Sequence, residues 1–128
     1  MVDHGGVVSE EYWDDNGYPT EEVLAKIKTW DVVNVGDYLA LMEFCKELWA
    51  YRNLSIVVQD NVCYRFATVG WSGNEDIIGA LQENSIFWMM YWAVSERGGL
   101  YVFCPMSYVY DHYGLKTIKQ YQEPPAVE

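Results

Sequence analysis

The hydrophobic positions change period along the chain, and each period predicts an element. EEVLAKIKTW buries Val23, Leu24 and Ile27 on one face, and Thr20 after Pro19 is placed to cap it, so a first helix of two to three turns is expected. A second helix is expected to start near Gly36-Asp37, with Asp37 as cap and an apolar stripe at Tyr38, Leu41, Met42, Cys45, Leu48 and Trp49. The pattern then shortens. LSIVVQ and VCYRFATV flank Asp60-Asn61, a pair that tolerates the positive φ of a tight turn, and Val62, Tyr64, Phe66 and Thr68 alternate onto one face, predicting a β-hairpin.

Ser72-x-x-Glu75 has the form of a capping box and opens a third, short helix with Ile77, Ile78 and Leu81 inward. SIFWMMYWAV is apolar at both parities and is expected to be a central strand covered on both faces, returning through SERGG into LYVFC. Asp111-His112-Tyr113-Gly114 reads as a turn and LKTIKQY as a short element. The expected fold is therefore one α+β domain in the order α-α-β-β-α-β-β, an antiparallel sheet of two hairpins with about three helices. Residues 19–122 form that domain, residues 1–18 an acidic, partly ordered arm, and residues 123–128 a frayed tail.

Composition adds a partner class to this outline. Nineteen acids against eight Lys and Arg give a formal charge of −11. Direct contact with nucleic-acid phosphates needs a basic surface, so the balance argues against it and favours a basic protein partner. Residues 1–22 hold seven of the acids and no Lys or Arg, interleaved with Tyr12, Trp13 and Tyr18. Residues 87–113 hold nine aromatics, an excess that is either core and its amphipathic margin or a sheet face used as an interface, including one between copies of the chain. Cys45, Cys63 and Cys104 are far apart with no leader pattern before them, which suits a reducing cytoplasm, and no stretch reaches membrane-spanning length.

The candidate chemistry centres on GWSGNE, residues 70–75. A nucleophile elbow, G-x-S-x-G, needs glycines two positions either side of its serine, and here Asn74 stands where the second belongs. His4 and His112 offer no triad partner on a rigid element. The simpler reading makes Ser72 and Glu75 the cap of the helix, with Gly70 and Gly73 easing the backbone and Trp71 either packed or exposed as an anchor. Two histidines and three isolated cysteines have no ligand spacing for a metal, and Gly98-Gly99 lacks a phosphate-loop lysine, so no cofactor is expected. Glu96 and Arg97 beside those glycines read as turn charges, with Arg97 against the acidic 72–76 corner as the sharper alternative.

GWSGNEDIIGALQENSIFWMMYW followed by SERGGLYVF resembles a group of small uncharacterised proteins encoded by phages and prophages, and the likeness runs from YPTEEVLAKIKTWD to Phe103. GWSGNE and RGG with a following aromatic are its specific parts; Glu96 departs from the basic or small residue usual before that arginine. The resemblance implies no activity and no catalytic residue. It implies an accessory protein acting in the bacterial host cytoplasm on a host complex. An acidic inhibitor of anti-CRISPR or anti-restriction type, imitating nucleic-acid charge against a basic surface, is the expectation. Its contacts would be Glu10, Glu11, Trp13, Asp14, Asp15, Glu21, Glu22, Trp71 and Arg97. A small ligand-binding or hydrolytic domain built on the Trp71–Glu75 turn, or a virion assembly protein, are the alternatives.

Overall fold

A computed structural model describes residues 12–109. The expected arm residues Glu10 and Glu11, both histidines, the 111–114 turn, the LKTIKQY element and the tail lie outside this range. The elements run α1 (Glu21–Lys28), α2 (Val35–Leu48), α3 (Arg52–Ser55), β1 (Ile56–Gln59), β2 (Cys63–Ala67), α4 (Ser72–Glu83), α5 (Ser85–Tyr91), β3 (Trp92–Glu96) and β4 (Leu100–Phe103). Residues 106–109 make one further helical turn after Pro105. The result is a small α+β domain with a four-stranded antiparallel sheet in the order β1-β2-β4-β3.

Helix starts follow the local chemistry of capping. The Thr20 hydroxyl accepts from the Val23 N–H, as expected of α1. For α2 the cap is Asn34, three residues earlier than the Asp37 expected to serve. Asn34 Oδ1 accepts from the Asp37 N–H at 3.0 Å while the Asp37 carboxylate accepts from the Asn34 N–H at 3.2 Å, so Asp37 is the second half of a reciprocal box. The stripe on α2 is buried as the spacing predicts, with Tyr38, Leu41, Met42, Cys45 and Leu48 all inside. The Asp60-Asn61 hairpin also forms, with φ of 55° and 61° at the two residues.

SIFWMMYWAV departs from expectation. It is not a central strand but a helix, α5, running into the edge strand β3. A run apolar at every position fits either period, and two local facts select the helix. Asn84 Oδ1 accepts from the Phe87 N–H and caps α5, and Phe87 and Tyr91, four apart, bring their rings onto Tyr38, the latter at 4.1 Å between centroids. Pairing begins only at Trp92, which faces Phe103, and the register slips between Trp92 and Val94 in a bulge of the kind that marks an edge.

The sheet separates two apolar clusters. Tyr64, Phe66 and Phe103 face the helices and pack with Ile27, Leu41, Trp49, Ile77 and Phe87 in the main core. Cys63, Val102 and Cys104 face the other way and are covered by Tyr108 and Val109. The aromatic excess is thus largely consumed by packing, although Trp92 stays 39% exposed at the edge.

Helices α1 and α4 lie side by side and parallel. At their C-terminal ends Lys28 Nζ sits 3.5 Å from Glu83 Oε1, and Asn84 Nδ2 donates to the Ile27 and Trp30 carbonyls, both at 3.0 Å. At their N-terminal ends the Tyr18 ring lies 4.7 Å from the Trp71 ring.

Candidate functional site

The corner between β2 and α4 is built by backbone conformation first. Val69 and Gly70 take φ of 50° and 74°, and the Trp71 N–H closes the turn on the Thr68 carbonyl at 3.0 Å. This delivers Trp71, not Ser72, to the N-cap of α4, and no side chain caps that helix. The expected Ser72–Glu75 capping box is therefore not formed: with the helix starting one residue early, the Ser72 hydroxyl is turned away and donates to the Tyr18 hydroxyl at 2.9 Å. Glu75 is exposed.

Asn74, in the position that denies the chain a nucleophile elbow, is a buried joint. Its Oδ1 accepts from the Ala50 N–H at 3.0 Å, and its Nδ2 donates to the Ala50 carbonyl at 3.1 Å and the Thr68 carbonyl at 3.3 Å. It ties α4 to the α2–α3 link and to the end of β2. Gly73 has a different duty. A Cβ there would lie 2.6 Å from Trp71 Nε1, so the glycine is what lets the indole fold over the helix start and meet Tyr18.

Residues 12–18 are held against the domain. Trp13 bridges to Pro19, Tyr12 meets Phe44 at 5.5 Å between ring centroids, and Lys26 lies over Phe44 at 5.0 Å. Asp14 Oδ1 accepts from the Asn16 and Tyr18 N–H groups, folding the loop so that Tyr18 reaches Trp71. Trp13, expected as an anchor for a partner, is half-buried and packs against the main core. Arg97 is exposed in the β3–β4 turn and makes no ion pair with Glu75 or any other described carboxylate.

What the structure brings together is one end of the α1–α4 layer. Asp14, Asp15, Glu21, Glu22, Glu75 and Asp76 are exposed around the half-buried Tyr18–Trp71 pair. The described ion pairs neutralise Glu83, Glu43 and Glu47 elsewhere and none reaches these six. The sequence shows the acids and the aromatics but not their convergence, which depends on a contact 54 residues apart.

A groove of about 240 Å³ opens beside this end, between the α4 face formed by Glu75, Ile78, Gly79 and Gln82 on one side and, on the other, Tyr101 of β4 with Thr68 and Gly99 at the adjoining strand ends. No sequence motif points to it. Its glycine at position 79 is the one available signal, a residue unfavourable in a helix interior with no turn nearby.

The buried titratable groups serve packing. The Tyr38 hydroxyl lies 2.6 Å from the Val62 carbonyl oxygen and 2.9 Å from that of Phe103, and burial drives its pKa far above the usual tyrosine range. Burial likewise raises Tyr64, which donates to Glu43 at 2.6 Å, and Tyr91. Burial raises the Cys45 thiol, and hydrogen bonding with Cys63 together with burial raises Cys104. These two thiols stay protonated and lack the thiolate that nucleophilic or ligating cysteines need. Among the described residues, no three or more His, Cys, Asp or Glu gather in a metal-binding group, and no helix is long and apolar enough to cross a membrane. Neither a family model, nor a curated protein, nor a solved structure matches the chain.

Proposed function

We propose that this protein acts by binding and not by catalysis, its acidic aromatic end docking on a basic surface of a bacterial nucleic-acid-handling or defence complex. Six exposed carboxylates that make no ion pair among the described residues, around a half-buried Tyr-Trp pair, carry this reading. Clustered carboxylates raise the local concentration of a basic partner and speed its encounter, while the aromatic pair supplies a contact with low entropy cost. On a surface evolved to hold phosphates, such an end competes with nucleic acid. The phage counter-defence setting rests on the GWSGNE and RGG resemblance alone.

The hydrolytic alternative has less behind it. Ser72 is engaged with Tyr18, and the elbow's second glycine is replaced by a buried structural asparagine. The test is to recover a partner from bacterial extract and measure association with Asp14, Asp15, Glu21 and Glu22 changed to Lys. Association is expected to slow at least about tenfold and to lose its steep dependence on salt. Unchanged association and salt dependence refute charge-led docking, and recovery with phage particles in place of host proteins would indicate an assembly role instead.

A further inference from the structure

We propose that the groove beside α4 binds a guanidinium group, the arginine side chain of a basic partner; the inference rests on the docking reading above and names the residue the partner contributes. Three observations converge on it. The lining holds one carboxylate, Glu75, with the Gln82 amide and the Tyr101 ring, and no Lys or Arg. Thr68 lines the same groove, is only 2% exposed, and its hydroxyl makes no hydrogen bond to the described residues. Gly79 sits mid-helix, where glycine costs about 1 kcal/mol against alanine.

The Gly79 observation points outward to a guest. A Cβ at Gly79 would meet nothing within 4 Å, so neither packing nor a turn asks for glycine there. Gly79 lines the groove, and the space its missing side chain leaves is open to a guest. A carboxylate that makes no ion pair among the described residues favours a positively charged guest, and a planar guest with several donors suits this set. Guanidinium can pair with Glu75, donate to the Gln82 carbonyl or the Thr68 hydroxyl, and lie on the Tyr101 ring. An ammonium offers the charge without the plane.

The experiment follows backbone amide resonances of the full chain during titration with N-acetylarginine amide, N-acetyllysine amide and N-acetylcitrulline amide. Saturable shifts at Gly79 and Gly99 are expected with the arginine compound at millimolar concentration, weaker binding with lysine and none with citrulline. Glu75→Gln should weaken binding at least tenfold. Gly79→Leu should abolish it while the melting temperature holds or rises, since the new side chain fills open space and favours helix. Absence of arginine-dependent shifts, equal binding of citrulline, or indifference to Gly79→Leu overturns the site; equal binding of lysine overturns its assignment to guanidinium. The docking reading fails separately: if arginine amide binds but charge reversal at Asp14, Asp15, Glu21 and Glu22 leaves partner association unchanged, the groove stands and the docking end does not.

Discussion

Replacing Asn74 by glycine would supply the second glycine that a nucleophile elbow needs around Ser72, and it separates an active-site reading of this corner from a structural one. Asn74 is 1% exposed and Ala50 6%, so the groups it serves have no ready access to water. The substitution orphans the Ala50 N–H, at about 1–3 kcal/mol, and removes the donor to the Ala50 carbonyl, at about 1 kcal/mol more. The Thr68 carbonyl keeps the Trp71 N–H and loses little. With a few tenths of a kcal/mol for glycine in a helix, the total is about 2–4 kcal/mol, a large part of the roughly 5–15 kcal/mol that holds a domain of this kind. In urea, with a slope of about 2 kcal/mol/M, the midpoint should fall by about 1–2 M with the slope unchanged. Asn74→Asp keeps the acceptor for Ala50 but turns a carboxylate toward two carbonyls. Its folded pKa is thereby raised, so the variant is expected to be most stable below about pH 4 and to weaken as pH rises from there to that folded value. A midpoint shift below about 0.3 M for Asn74→Gly, or new ester hydrolysis by that variant, would refute the structural assignment.

Two further outcomes are expected. Gly73→Ala forces the Trp71 indole off its present position, so Trp71 fluorescence should shift toward that of an exposed indole and the Tyr18 contact should loosen, at a cost of about 1 kcal/mol to the fold; an unchanged emission spectrum would show that the ring has another seat. Tyr38, Tyr64, Tyr91, Cys45 and Cys104 all have raised pKa values, which means the fold favours their protonated forms. Their contribution is complete below the ordinary thiol and phenol values, about 8.5 and 10, and is lost as pH climbs above them. Melting temperature should therefore fall steeply between about pH 9 and 11, less steeply in Tyr38→Phe, and a flat profile would contradict the burial of these groups.

Elements whose signals are local were legible in the sequence. Thr20 capping α1, the Asp60-Asn61 turn and the α2 stripe each depend on residues within a few positions of one another, and each forms. SIFWMMYWAV misled because its composition leaves the period undetermined; the deciding residues are Asn84, which precedes the run, and Tyr38, which lies on another element. Ser72-x-x-Glu75 misled differently. The pattern is present, but the left-handed pair at Val69 and Gly70 sets the helix start, and Tyr18 offers Ser72 a partner that no window around residue 72 contains. The acidic end was half visible, as charge without location. The groove was invisible because its walls come from α4 and from residues of β4 and the strand ends that lie far from one another in the chain.

Asn84 closes three helices at once. Its backbone N–H ends α4 on the Ala80 and Leu81 carbonyls, its Oδ1 begins α5, and its Nδ2 takes up the Ile27 carbonyl in the last turn of α1 and the Trp30 carbonyl just beyond it. Those three ends must open together, since releasing any one leaves buried polar groups on the others. Their amides should exchange with solvent as one slow cooperative unit. At the opposite end α1 and α4 are joined by Tyr18 against Trp71 and Ser72, while Asn74 ties α4 to Ala50 and Thr68, so exchange there should be independent of the Asn84 unit. The α1–α4 layer is in this sense sealed at its base by one side chain serving three helix ends, and its other end, which carries the charge, is held by separate contacts.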